Sequence, residues 1–230
     1  MKLTHVLGAM ALGTATLTAW AGSGQDLLSK QCISCHAVTK PDNASLDRLW
    51  ERKAPDLYFA GSKFNQEWLH AWLQNPTTVR SGGVMYSKLA KASEGAADVI
   101  DASKLPKHPK LSKEDAALAT EALMALKAGD DLIEKGAYKN GPVNASFAAM
   151  LFGKLRGCTS CHAAKPGAGD LSGPELYDGG ARLQPDFVLA YIKDPQKFDP
   201  HVWMPRLDLN AGDLQKLTGY ISTLKSAEKK

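Results

Sequence analysis

The four cysteines of this chain all fall within one five-residue pattern that occurs twice. Cys32-Ile33-Ser34-Cys35-His36 and Cys158-Thr159-Ser160-Cys161-His162 both read C-x-x-C-H. That pattern is the one used to attach c-type haem covalently, and each of its positions has a chemical task. Two thiols separated by two residues reach the two vinyl groups of one porphyrin and form thioethers. The adjacent histidine is then held beneath the iron. A porphyrin is large and apolar, so the chain around each motif has to wrap it. Cysteine pairs also make disulfides and zinc sites, but structural zinc ligands cluster in one unit. These pairs start 126 positions apart (158 minus 32). The expectation is two covalent haem c groups, attached through Cys32, Cys35, Cys158 and Cys161, with His36 and His162 as proximal iron ligands.

Residues 1–21 read as an export signal. Lys2 supplies a short positive start, residues 6–17 are apolar or small and uncharged, and Ala19-Trp20-Ala21 matches a small-x-small cleavage site. The mature chain is expected to begin near Gly22, with an uncleaved anchor as the other reading. The apolar run is shorter than the roughly 20 residues that span a bilayer. No later stretch is apolar enough, so no membrane span is expected in the mature chain. Export agrees with haem attachment outside the cytoplasm and points to a bacterial periplasm. Charge gives no support for nucleic-acid binding. The formal charge of +4 falls to +3 once Lys2 is removed with the signal. The four propionates of two haems would carry it to about −1.

An internal repeat sets the organisation. Residues 54–85 and 173–204 align without a gap at an offset of 119 (173 minus 54). Pro55, Leu57, Tyr58 and Gly61 match Pro174, Leu176, Tyr177 and Gly180. Trp68 and Trp72 match Phe187 and Tyr191, and Met85 matches Met204. Each half therefore carries one motif, one central helix and one methionine in the same order. Helices are expected over 24–31, 65–74, 116–127, 144–156, 185–193 and 211–225, with Ser112 as an N-cap. No strand signal of any length is present. The division follows as 22–128 for a first domain, 129–143 for a linker rich in Gly and Pro signals, and 144–230 for a second domain. The halves differ in one place. Only residues 205–208 separate Met204 from Leu209, whereas 25 residues separate Met85 from the matching Leu111. The first half thus holds an insertion at about 86–110, with Lys88, Lys91, Lys104, Lys107 and Lys110.

The sixth position on each iron separates carriers from enzymes. Met85 and Met204 sit in polar loops bearing Gly or Pro, at equivalent repeat positions, and are expected to be the distal ligands. Met124 and Met150 lie in apolar helical runs and read as core. The rival distal ligands are His70 or His108 in the first half and His201 in the second.

On these residues the chain resembles a tandem pair of class I cytochrome c domains. That family places C-x-x-C-H near the start, then a middle helix, an axial methionine loop and a C-terminal helix. Here the pattern is met by Cys32, Cys35, His36 and Met85, and again by Cys158, Cys161, His162 and Met204. The resemblance covers nearly all of 24–226 apart from the insertion and linker. It implies an all-α fold of two small units and one-electron transfer between redox partner proteins. Such partners would be a dehydrogenase or reductase, a terminal oxidase or other cytochromes. It further implies that Tyr58, Tyr177, Trp68, Trp72, Tyr191 and Trp203 line the porphyrins. Lys63, Arg182, Arg80 and Arg206 are then candidates to pair with propionates. The competing class is a dihaem enzyme. A dihaem peroxidase opens one distal side, and a thiosulfate dehydrogenase uses a cysteine there. The paired methionines speak against the first, and the consumption of every cysteine in attachment speaks against the second.

Overall fold

Hydroxyl and amide side chains set where the main helices begin. Ser45, Ser112, Asn144 and Asn210 each accept a hydrogen bond from the backbone N–H three residues on. Each cap satisfies a donor that the first helical turn leaves unpaired. The helices so started belong to a computed structural model that describes residues 17–225, except 43, 80–83 and 95–97. Side chains are described from residue 24 onward, leaving out also 84, 85 and 102. The expected export segment thus lies almost wholly outside the described residues, and Arg80 lies outside them.

The chain is mostly helical, in keeping with an all-α reading. The elements are α1 (Leu17–Gln31), α2 (Leu46–Glu51), α3 (Ala60–Lys63), α4 (Gln66–Gln74) and α5 (Val84–Leu89). They continue with α6 (Lys113–Met124), α7 (Ala145–Met150), α8 (Gly179–Arg182), α9 (Pro185–Lys193) and α10 (Ala211–Thr223). The repeat is visible in the elements themselves. Adding 119 to the bounds of α3 and α4 gives the bounds of α8 and α9. The 144–156 helix is not uniform. Its α-helical turns pass at Leu151–Leu155 into a wider π-helical turn. This turn ends at Gly157, whose φ of 65° suits a residue without Cβ. One expectation fails outright. A short antiparallel ladder pairs β1 (Ala90–Lys91) with β2 (Val99–Ile100) inside the insertion. At two residues per strand it is too short for an alternating pattern to register.

In the first half, α1 lies along α6, and Leu28, Ala116, Ala119 and Leu123 are buried between them with Leu69 and Leu73 of α4. In the second half, α10 packs on α9 and on the turns around α7, burying Leu151, Phe152, Phe187, Val188, Leu217 and Ile221. Two matched glycines permit the tight crossings. The Gly61 N–H donates to Leu126 O at 2.8 Å and the Gly180 N–H to Leu224 O at 2.7 Å. A Cβ would stand 2.1 Å from Met124 O at the first and 2.2 Å from Ser222 O at the second.

The halves meet through a reciprocal set of bonds about a short bridge, Phe64 opposite Leu183. Asn65 N–H donates to Arg182 O and Gln184 N–H to Lys63 O, each at 2.9 Å. Asn65 and Gln184 are equivalent in the repeat, and each also donates its side-chain amide across the junction. Asn65 Nδ2 reaches Ala181 O and Leu183 O, and Gln184 Nε2 reaches Gly61 O and Phe64 O. The halves thus face each other as two copies do about a two-fold axis. Residues 129–143 are also pinned. Asp186 of α9 accepts from Gly136 N at 2.7 Å and Tyr138 N at 2.8 Å, and Gln215 of α10 holds Lys139 N and Ala137 O.

Gly61→Ala and Gly180→Ala should each destabilise the protein by about 1–3 kcal/mol, because the added methyl meets backbone rather than a movable side chain. Denaturant melts of the two variants test this. A loss under about 0.5 kcal/mol would show that the crossings relax freely.

Candidate functional site

Both C-x-x-C-H motifs fold into the same turn. His36 N–H donates to Cys32 O at 2.9 Å, as His162 N–H does to Cys158 O. Cys35 N–H and Cys161 N–H return to the same two carbonyls at 3.1 and 3.2 Å. The residue after each histidine then anchors the matched Pro-containing segment. Leu57 N–H donates to Ala37 O at 2.8 Å, and Leu176 N–H to Ala163 O at 2.9 Å. This register carries each proline carbonyl to the ring of its histidine. His36 Nδ1 lies 2.7 Å from Pro55 O, and His162 Nδ1 lies 2.8 Å from Pro174 O. A carbonyl has no proton to give, so Nδ1 is the donor in both rings. In a neutral His36 this leaves Nε2 unprotonated, the arrangement found at metal-binding histidines. Burial pushes the His36 pKa down, outweighing the Pro55 carbonyl and Asp56, which favours that neutral form.

Cys32 and Cys158 are unlike metal thiolates or nucleophiles. None of the four is in a disulfide. Burial pushes the Cys32 and Cys158 thiols up, the neighbouring Cys35 adding to the effect at Cys32. A raised thiol pKa keeps the group protonated, opposite to a reactive thiolate. Among the described residues no group of three or more His, Cys, Asp or Glu is arranged to hold a bare metal ion.

Both motifs open into one continuous cavity of about 1360 Å³. That exceeds the roughly 300–1,000 Å³ of a pocket for one small ligand. Cys32, Cys35 and His36 line it on one side and Cys158, Cys161 and His162 on the other. Most of the remaining lining is apolar or aromatic. Tyr58, Trp68, Trp72, Tyr191 and Trp203 take part, while Tyr177 is not in the lining. Phe64, Trp68 and Trp72 form a stack with ring centres 5.7 and 5.6 Å apart. Met204, half-buried, also lines the cavity, and Gln196 Nε2 donates to its carbonyl at 2.8 Å. Met85 begins its helix at the second residue of α5, and its side chain lies outside the described residues. Of the rival histidines, His70 is away from the cavity and His201 is an exposed residue of its lining. His108 faces inward: its ring centre is 4.5 Å from Trp72 and 6.3 Å from His36.

The basic residues divide differently from the sequence expectation. Arg206 is 70% exposed, 3.7 Å from Asp194, and absent from the lining. Lys63 and Arg182 line the cavity and also meet at the junction between the halves. Lys63 Nζ sits 5.7 Å from the Phe187 ring, and the Arg182 guanidinium sits 6.0 Å from the matched Trp68 ring. Arg182 is also held by Asp178 at 3.0 Å, and Trp68 Nε1 donates to the same carboxylate. Sequence reasoning missed Arg48, Arg52 and Arg156. Arg52 and Arg156 line the cavity, and each keeps a buried Nε without a protein acceptor. One terminal nitrogen of each is paired: Arg52 Nη1 with Asp56 at 3.3 Å and Asp199 at 3.2 Å, and Arg156 Nη2 with Asp213. Only an i,i+4 spacing of Arg48, Arg52 and Asp56 hinted at this cluster. Two matched C-x-x-C-H turns, a shared apolar cavity and the orphaned Nε donors of Arg52 and Arg156 fit two porphyrins with anionic edges.

Part of the chain is 32% identical over 88 residues to cytochrome c oxidase subunit 2 of Bacillus sp. (strain PS3), covering 35% of this chain. The match spans about a quarter of that relative's length (24%). No protein-family model and no solved structure matches the chain. No helix among the described residues is long and apolar enough to cross a membrane.

Lys63 gives a pH test of the junction. Burial against three rings, and then the charge of Arg182, lower its pKa to about 8 from 10.5. Between those values the unfolded chain binds more protons than the folded one, so this group adds stability as pH rises from about 8 to 10.5. Tyr191, pushed up by burial to about 12, acts oppositely above pH 10. Lys63→Met should therefore be more stable than the parent at pH 7, and its advantage should shrink by pH 10. Denaturant melts at the two pH values measure the difference, and a constant gap would place Lys63 in solvent.

Proposed function

We propose that this chain is a periplasmic dihaem c-type cytochrome that passes single electrons between redox partner proteins, with no bond made or broken in a substrate. The observation that carries this reading is the matched pair of Nδ1-to-proline-carbonyl hydrogen bonds, each beside a C-x-x-C turn and facing a shared apolar cavity. The partial likeness to a cytochrome c oxidase subunit supports electron transfer as the class of activity. Haem c would supply a one-electron Fe(III)/Fe(II) couple at each motif. Everything else is the work of this chain's residues.

Cys32 and Cys35 hold the first group and Cys158 and Cys161 the second. His36 and His162 present Nε2, and the Pro55 and Pro174 carbonyls fix each ring's tautomer and orientation. Met204 stands in the wall of the second site as its distal donor. A thioether there favours reduced iron and raises the potential. The Arg52 and Arg156 guanidiniums offer their Nε donors to propionates. The aromatic walls exclude water, which lowers the reorganisation that a change of charge demands. Ile33 within the first motif and Trp203 beside Met204 are exposed apolar residues, suited to brief contact with a partner. Both motifs line one cavity, so groups held at them would be neighbours and internal transfer would need no movement of the halves.

Purified protein should carry two covalently bound haems, counted by mass and by the haem's absorption after denaturation. Replacing Cys158 and Cys161 together by Ala should leave one haem, as should replacing Cys32 and Cys35. Reductive titration should take up one electron per haem. Absence of bound haem would overturn the reading, and peroxide or thiosulfate turnover would assign the chain to the dihaem enzymes instead.

A further inference from the structure

We propose that His108, rather than Met85, is the distal iron ligand of the first site, so that the two sites carry unlike ligand pairs. The first would be His36 with His108 and the second His162 with Met204. The inference rests on the haem reading above and adds to it the donor that distinguishes the halves.

Three observations carry it. The first is distance. A histidine nitrogen binds a transition metal at about 2 Å, as at zinc. Its ring centre lies about 1 Å further back, so two histidines on opposite sides of one metal keep their ring centres about 6 Å apart. The ring centres of His36 and His108 are 6.3 Å apart, with the planes tilted by 52°, and both rings line the cavity. The second is the free nitrogen. His108 Nδ1 lies 2.9 Å from Pro109 O and must donate to it. Its Nε2 therefore keeps the lone pair, as in His36. Trp72 holds the ring in place at 4.5 Å and is itself fixed by Nε1 donating to Thr77 O at 3.0 Å.

The third is the path of the insertion. After α5, the β1–β2 ladder and the Lys91–Asp101 ion pair at 2.8 Å turn the chain back. Leu105, Lys107 and Pro109 then run along the cavity, and Leu111 N–H closes onto Leu73 O at 3.0 Å. Counted back from the final helix of each half, the two donors are neighbours. His108 lies three residues before Leu111, and Met204 lies five before the matching Leu209. Met85 is 26 before Leu111 and equivalent to Met204 only when counted from the other end. The insertion thus replaces a methionine by a histidine in the position that closes the site. A nitrogen donor lacks the thioether's preference for reduced iron, so the first site would have the lower potential. Electrons would then run from the first site to the second.

The test uses the haem-loaded protein. In the oxidised state, both haems should be low-spin, and the weak long-wavelength sulfur-to-iron band should have the intensity of one methionine-ligated haem. His108→Met should double that band and raise the lower of the two potentials. His108→Ala should convert one haem of the two to a high-spin, cyanide-binding form and leave the other untouched. A parent band of intensity two would overturn the proposal, as would Met85→Ala, instead of His108→Ala, opening the first site. A haem count of two with either of those results sinks this inference alone. A count of zero sinks the functional reading and this inference with it.

Discussion

The hydrogen bond from a motif histidine to a proline carbonyl is the constraint on which the rest of the site depends. Written out of context, C-x-x-C-H is a short flexible turn. It becomes a defined donor only when Nδ1 is committed elsewhere, and a carbonyl commits it without ambiguity. The carbonyl in turn is placed by Leu57 on Ala37 O and by Leu176 on Ala163 O. Those leucines lead directly into α3 and α8, whose glycines dock on the chain just after α6 and α10. Ring orientation, Pro segment, glycine crossing and terminal helix therefore form one mechanical chain, present in each half. Loosening any member would let the imidazole turn.

The junction between the halves solves a second problem. A small unit wrapped around a large apolar group has little protein core of its own. Here the units share a wall. The 64–183 bridge and the crossed amides of Asn65 and Gln184 satisfy backbone groups that each half would otherwise leave open. Lys63 and Arg182 fill the space above and below with their stems and rest on the opposite half's aromatic ring. The exchange is not fully symmetric. Arg182 has Asp178 as counter-ion, whereas the equivalent of Asp178 is Phe59, which leaves Lys63 among rings.

The insertion makes the larger departure. Its lysines suggest a solvated excursion, but Lys88 donates to Trp50 O and Lys91 pairs with Asp101, so two of the five serve to fasten it. The segment folds across the first motif instead of away from it. A partner approaching that side meets a lid of Lys104, Pro106 and Lys107, whereas the second motif is bordered by the exposed Trp203. The two faces therefore present different chemistry to a docking protein.

Much was legible in the sequence because motif spacing and helical periodicity are local properties. Cysteine spacing, the aromatic face of α4 and the cap at Ser112 each reside in a few neighbouring residues, and the 119-residue repeat is a comparison of two such stretches. Local rules hold wherever those residues end up. What tertiary structure alone decided concerns groups far apart in the chain. The meeting of Lys63 and Arg182 at the junction spans 119 positions (182 minus 63), and the Arg52–Asp199 ion pair spans 147. The approach of His108 to His36 depends on a two-residue ladder too short to leave a pattern. Charge and ring geometry at such sites follow from where distant segments pack, and burial then decides which of two identical side-chain types is paired, wedged between rings or left facing the cavity.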